Sequence, residues 1–130
     1  MYRPIKIKAR QKKTGKIVYA EVCRDKNNIL LYSATTNVSD IEFNAMRLCT
    51  YIQDDHENFI YDEDILDVYD EHYESVGKFV ASYDAVNGVY RLRPFPVSTV
   101  APDFCDMPLG KALYDISKKG WRVFVANESL

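Results

Sequence analysis

The stretch VGKFVASYDAVNGVYRLR (76–93) decides how this chain is read. β-branched and aromatic residues fill both of its halves, and Asp84, Asn87 and Gly88 interrupt them. Asn-Gly between two such runs signals a tight hairpin, because both residues tolerate the positive φ that these turns require. The spacing predicts paired strands over 76–83 and 88–93. Phe79, Ala81 and Tyr83 share one face, and Tyr90 and Leu92 meet that face from across the turn. A hairpin as the clearest element predicts a mostly β chain.

Towards the N-terminus, 65–69 and 59–61 are strand-like and 62–64 separates them. Residues 48–53 read as a strand, followed by the polar turn DDHEN (54–58). At the start, Ile5, Ile7 and Ala9 alternate with Lys6, Lys8 and Arg10, which predicts a strand with one wet face. KKTGK (12–16) is a turn with Gly15 at a positive-φ position. Residues 17–23 and 29–32 complete an antiparallel meander around a second turn at 25–28. In the less legible 33–47, Ser39 or Asp40 is expected to cap a short helix running to Met46.

Towards the C-terminus, Pro94 and Pro96 end the sheet edge, and four of the five prolines fall within 94–108, a surface loop. One helix follows. Asp106 is placed to cap it, Pro108 suits its first turn, and Leu109, Leu113 and Ile116 lie on one face. Lys118 and Lys119 complement the macrodipole, and Gly120 is its stop. WRVFVA (121–126) has apolar residues on both faces and is expected to be a central or well-covered strand.

A length of 130 residues with 47% hydrophobic content suffices for one domain with its own core. No run of about 18 apolar residues is present, so no membrane span is expected. MYRPIKIKAR (1–10) lacks the apolar stretch of a signal peptide. Cys23, Cys49 and Cys105 are odd in number and widely spaced, which fits a reducing cytoplasm, with Cys23 and Cys49 as core residues.

The net charge of −2 conceals segregation. Residues 1–26 hold nine Lys/Arg against Glu21 and Asp25, a net of 9 − 2 = +7. Between Asp54 and Glu74 stand ten acids and no lysine or arginine. The two blocks must face each other, face a partner, or lie on opposite surfaces. Lys6, Lys8, Arg10, Lys12, Lys13 and Lys16 are candidates for a nucleic-acid stripe, with Tyr2 and Tyr19 as stacking platforms.

The acidic block offers hard oxygen ligands in Asp62, Asp64, Asp67, Glu71 and Glu74. A calcium loop opening at Asp62 needs Gly at its sixth position and Glu at its twelfth, where Asp67 and Tyr73 stand. His56 and His72 lie in separate exposed turns, and no cofactor or metal is expected. Asp64 sits between a turn and a strand, where a carboxylate holds backbone N–H groups, so its expected role is structural. Tyr61, Tyr69 and Tyr73 are candidates for a partner-facing patch, since tyrosine is enriched at interfaces. No paired acid and base suggests catalysis, and no enzymatic activity is expected.

Three segments together resemble the YopX family of small phage and prophage proteins. PIKIKARQKKTGKIVY (4–19) resembles its basic opening strand and turn. CTYIQDDHENFIYDEDILDVYDEH (49–72) resembles its marker, roughly T-G-L-x-D-x-x-G-x-x-I-Y-E-G-D-I-V, at Thr50, Ile52, Asp54, Ile60, Tyr61, Asp62, Asp64, Ile65 and Leu66. PLGKALYDISKKGWRVFVANESL (108–130) is similar to its closing helix, strand and tail. The marker's three glycines are replaced here by Tyr51, Glu57 and Glu63, so those turns either use other conformations or adopt left-handed ones at a cost.

The resemblance covers nearly the whole chain as a single domain. It implies an N-terminal β-meander (1–47), an SH3-like barrel with one late helix (48–130), and a cytoplasmic setting in a bacterial host. It implies no known activity. The expected function is a non-catalytic binding or assembly module, with itself as a homo-oligomer or a phage or host protein as partner. The alternative is a nucleic-acid-binding accessory protein using the basic N-terminal hairpin.

Overall fold

The computed structural model describes residues 5–24, 29–32, 38–96 and 101–126. The chain is mostly β, with nine strands and one α-helix among the described residues. It divides into two compact units between Cys49 and Thr50.

The first unit is the meander. β1 (Ile5–Arg10), β2 (Ile17–Arg24) and β3 (Ile29–Tyr32) pair antiparallel in sequence order. The other edge of β1 takes the start of β4 (Arg47–Gln53), with Ile7 opposite Leu48 and Lys8 opposite Arg47. Ile7, Ala9, Ala20, Val22 and Ile41 form its core.

β1 departs from simple alternation. Ile7, Lys8 and Ala9 are all buried, whereas Ile5 is 45% exposed. The physical reason is that β1 is a middle strand, and Tyr19 on β2 and Arg47 on β4 flank Lys8 on its own face. The helix expected to run to Met46 is instead two short 3-10 turns, Val38–Asp40 and Phe43–Ala45. Ile41 between them bridges to Gln11, and this pairing outcompetes helical continuation.

The second unit holds the rest of β4, then β5 (Phe59–Tyr61), β6 (Ile65–Tyr69), β7 (Ser75–Asp84) and β8 (Val89–Pro94). The helix α1 (Leu109–Lys118) and β9 (Arg122–Val125) follow. Its antiparallel sheet runs β8-β7-β6-β9. Ile60, Leu66, Phe79, Leu92, Phe104 and Ile116 centre a core built by the inner sheet face, α1 and the 3-10 turn Asp103–Asp106.

β9 therefore lies at the end of this sheet, not at its centre, and only Val123 within it is fully buried. Among the described residues no strand pairing joins β8 to β9, so the closure expected of a barrel is not seen there. Asp106 ends the 3-10 turn and makes no cap; Pro108 occupies the N-cap position of α1 without a side-chain hydrogen bond. Leu109, Ala112 and Ile116 are the buried stripe, with Leu113 partly buried beside it. Gly120, at φ +79, ends the helix as the sequence suggests.

Candidate functional site

The basic hairpin between β1 and β2 is a rigid turn. Gln11 N–H donates to the Lys16 carbonyl at 2.8 Å, and Gly15 N–H to the Gln11 carbonyl at 2.8 Å, with Gly15 at φ +69. Thr14 Oγ1 donates to Gln11 Oε1 at 2.7 Å. The segment around Asp40 braces this tip from outside. Its carbonyl accepts Lys12 N–H at 2.7 Å, and its Oδ1 accepts Lys13 N–H at 3.1 Å. The turn's backbone is thus held both from within and by Asp40, and the side chains of Lys12, Lys13 and Lys16 project into solvent.

Of the six predicted stripe residues, two leave the set. Lys8 is 1% exposed and unavailable to a macromolecular ligand. Lys6 donates to Glu21 at 2.9 Å across the β1–β2 pair, which neutralises it locally. Arg10, Lys12, Lys13 and Lys16 are exposed, and among the described residues none of them forms an ion pair. Tyr19 is 47% exposed on the same hairpin, and Tyr2 lies outside the described residues.

Much of the acidic block holds the fold. Asp54 is 7% exposed, and its Oδ1 accepts the N–H groups of His56 and Asn58, each at 2.9 Å. Its Oδ2 accepts Val125 N–H at 2.9 Å, while Asp55 Oδ2 accepts Val123 N–H at 2.6 Å. Asp55 N–H returns a bond to the Val123 carbonyl at 3.0 Å. Carboxylates and one amide thereby seal the outer edge of β9, where another strand would otherwise pair.

Residues 70–74 repeat this turn. Asp70 Oδ1 accepts the N–H groups of His72 at 2.8 Å and Glu74 at 2.9 Å. Glu57 and Tyr73, fourth in their respective turns, have φ of 64° and 60°. The shared pattern D-[DE]-H-x-x at 54–58 and 70–74 is visible in the sequence, but its geometry was not anticipated there. The second acid again reaches outward: Glu71 Oε2 accepts the Trp121 indole N–H at 2.6 Å.

Asp64 is 2% exposed and its Oδ2 accepts Tyr61 N–H at 2.8 Å. The Asp64 carbonyl accepts Ala81 N–H at 2.9 Å, so one residue ties its own turn to β7. Asp67 pairs with Lys78 at 2.7 Å, a contact that raises the Lys78 pKa. Glu57, Glu63 and Glu74 remain as exposed acids without an ion pair among the described residues.

The three candidate tyrosines have different fates. Tyr61 is 6% exposed and belongs to the core, because its position in β5 points inward; it is not a partner contact. Tyr69 is half-buried against Phe124, with ring centroids 6.0 Å apart. Tyr73 alone is strongly exposed, at 71%.

His56 stacks on Phe124 at 4.1 Å, and His72 lies 3.7 Å from Glu71. Among the described residues no three His, Cys, Asp or Glu side chains gather as metal ligands. Cys49 and Cys105 are buried free thiols, and burial pushes the Cys105 pKa up. The side chain of Cys23 lies outside the described residues. No described helix is long and apolar enough to cross a membrane.

Compared with known proteins, the chain matches no family model, no curated protein and no solved structure.

Proposed function

We propose that this chain is a non-catalytic binding module whose contact element is the braced basic tip, Arg10, Lys12, Lys13 and Lys16, and whose partner is an acidic protein surface. The observation that carries this reading is the contrast between backbone and side chains at the tip. The amides of Gln11, Lys12, Lys13, Gly15 and Lys16 all have partners, yet four cations have no counter-charge among the described residues. A fixed cluster of like charge steers an oppositely charged partner and loses little freedom when it docks. The acids of 54–74 support a non-catalytic role, since Asp54, Asp55, Asp64 and Asp70 spend their oxygens on backbone N–H groups.

A second copy of the chain is the first candidate partner, because Glu57, Glu63 and Glu74 supply the complementary charge. Solution mass at low and high salt tests this. A mass above that of one 15.0 kDa chain at low salt, falling to one chain near 1 M salt, is expected, since the screening length there is only about 3 Å. A single-chain mass under both conditions removes self-association and leaves a phage or host protein as the partner.

The half-exposed Tyr19 beside the tip favours one second reading, a nucleic-acid accessory role. Four phosphate contacts predict a log–log salt slope of about −3 for single-stranded oligonucleotides. Fluorescence anisotropy without salt-sensitive binding ends that reading.

We propose membership of the YopX family of phage and prophage proteins, and with it a bacterial cytoplasmic setting, on the resemblance of the three segments; the backbone at the marker's glycine positions agrees with that reading. Tyr51, Glu57 and Glu63 stand where the family marker has glycine, and their φ angles are 62°, 64° and 67°. Left-handed backbone at three non-glycine residues is uncommon, and a glycine ancestor accounts for all three.

A further inference from the structure

On the outer face of the β7–β8 hairpin lies an open cleft of about 300 Å³ lined by Ser82, Tyr83, Asp84, Ala85, Arg91 and Arg93. Strand register builds its polar wall. Ser82 stands opposite Arg91 and Val80 opposite Arg93, so the serine and both arginines rise from one face. None of these residues belongs to the basic tip, and none bears on the reading proposed above.

Arg91 is held in place from two sides. Its Nε donates to Asp84 Oδ2 at 2.9 Å, and its Nη1 donates to the Asp106 carbonyl. Asp84 is itself fixed: its Oδ1 accepts Val86 N–H at 3.1 Å and Asn87 N–H at 3.3 Å, and its Oδ2 accepts the Asn87 amide at 2.7 Å. The carboxylate therefore turns towards its loop and Arg91 and clamps that guanidinium. Arg93, two residues along, has no ion pair or hydrogen bond among the described residues, and its charge is the uncompensated one. Ser82 is 8% exposed, and its hydroxyl makes no hydrogen bond among the described residues. A hydroxyl donor beside one fixed and one free guanidinium matches the oxygens of a small tetrahedral anion.

We propose that this cleft binds a small phosphate-type dianion, either inorganic phosphate or the phosphate group of a small ester, through Arg93, the outer edge of Arg91 and the Ser82 hydroxyl. The protein titrated with inorganic phosphate, and separately with glycerol 3-phosphate, is followed by amide and arginine side-chain NMR. Saturable shifts centred on Ser82, Arg91 and Arg93 are expected. Tighter binding of the ester assigns a phosphate monoester as the ligand; equal binding assigns phosphate itself.

Arg93→Gln weakens binding about tenfold or more with unchanged thermal stability, as expected for removing one charged donor pair from an exposed side chain. Ser82→Ala weakens it less. Shifts that grow linearly without saturation, or that are as large at Lys12 and Lys13 as in the cleft, overturn the proposal, since both indicate general screening of charge. Equal binding by the wild-type protein and Arg93→Gln overturns it as well.

Discussion

Asp54 and Val125 are 71 positions apart, and the Oδ2 of the first accepts the N–H of the second at 2.9 Å. With Asp55 on Val123, this closes an edge that the sheet leaves open. An acid that reads as surface charge thus replaces part of a strand. Asp54→Ala removes three charge-assisted acceptor contacts at a residue only 7% exposed and leaves one β9 edge amide, that of Val125, competing for water. The expected loss is about 3 kcal/mol. Asp70→Ala in the equivalent turn removes two exposed contacts and costs about 1 kcal/mol. Urea unfolding of the two variants checks the difference; equal losses would show that the β9 contact contributes nothing.

Among the described residues, four non-glycine residues adopt positive φ: Tyr51, Glu57, Glu63 and Tyr73. A left-handed conformation costs an L-residue roughly 1–2 kcal/mol, offset partly by the greater freedom glycine has when unfolded. Glu57→Gly, Glu63→Gly and Tyr73→Gly are each expected to stabilise the protein by roughly 0.5–1 kcal/mol. Tyr51 is left out because its ring packs edge-on against Phe59 at 6.3 Å. Thermal melts of the single and triple variants measure this. Lower melting temperatures for all three would mean that their side chains contribute more than their backbones cost.

Strand positions were legible in the sequence where a period of two met a turn residue, as at 59–61 and 65–69. The limits of that legibility are specific. Lys8 keeps the period of its strand yet is buried, because β1 gains a second neighbour, β4, from about 40 residues further on. Apolar residues on both faces of β9 suggested a central or well-covered strand; it lies at the end of its sheet, and its second edge is covered by acids from 54–58. Composition marks those acids as charge and carries no sign that their oxygens are spent on amides. The basic tip was readable because a turn exposes its side chains whatever it packs against. The cleft was not, since Ser82, Arg91 and Arg93 converge only through register.

Lys8 and the tip lysines share a charge and a neighbourhood, and their substitutions should separate cleanly. Lys8→Ala empties a buried site holding a long aliphatic stem and is expected to destabilise by about 2 kcal/mol or more. Lys12→Glu with Lys13→Glu changes only exposed groups, so stability should stay within about 0.5 kcal/mol. The same pair should abolish salt-sensitive association. Retention of that association in the double variant would move the contact surface away from the tip.

Asp84 supplies a pH test with a defined sign. Its carboxyl pKa lies below the ordinary 3.8, chiefly because the Asn87 side chain donates to it, with further help from the Asn87 amide, Arg91 and the Val86 amide. A lowered folded pKa means the unfolded chain binds the proton first as pH falls. The stabilisation is therefore complete well above 3.8 and is lost as pH drops through the lower folded value. Carboxyl-detected NMR should place the Asp84 midpoint below the ordinary 3.8. Asn87→Ala removes the leading cause and should raise the Asp84 midpoint towards 3.8 while Arg91 stays paired. An Asp84 midpoint that does not move in Asn87→Ala would transfer the effect to Arg91, and Arg91→Gln would then have to raise it instead.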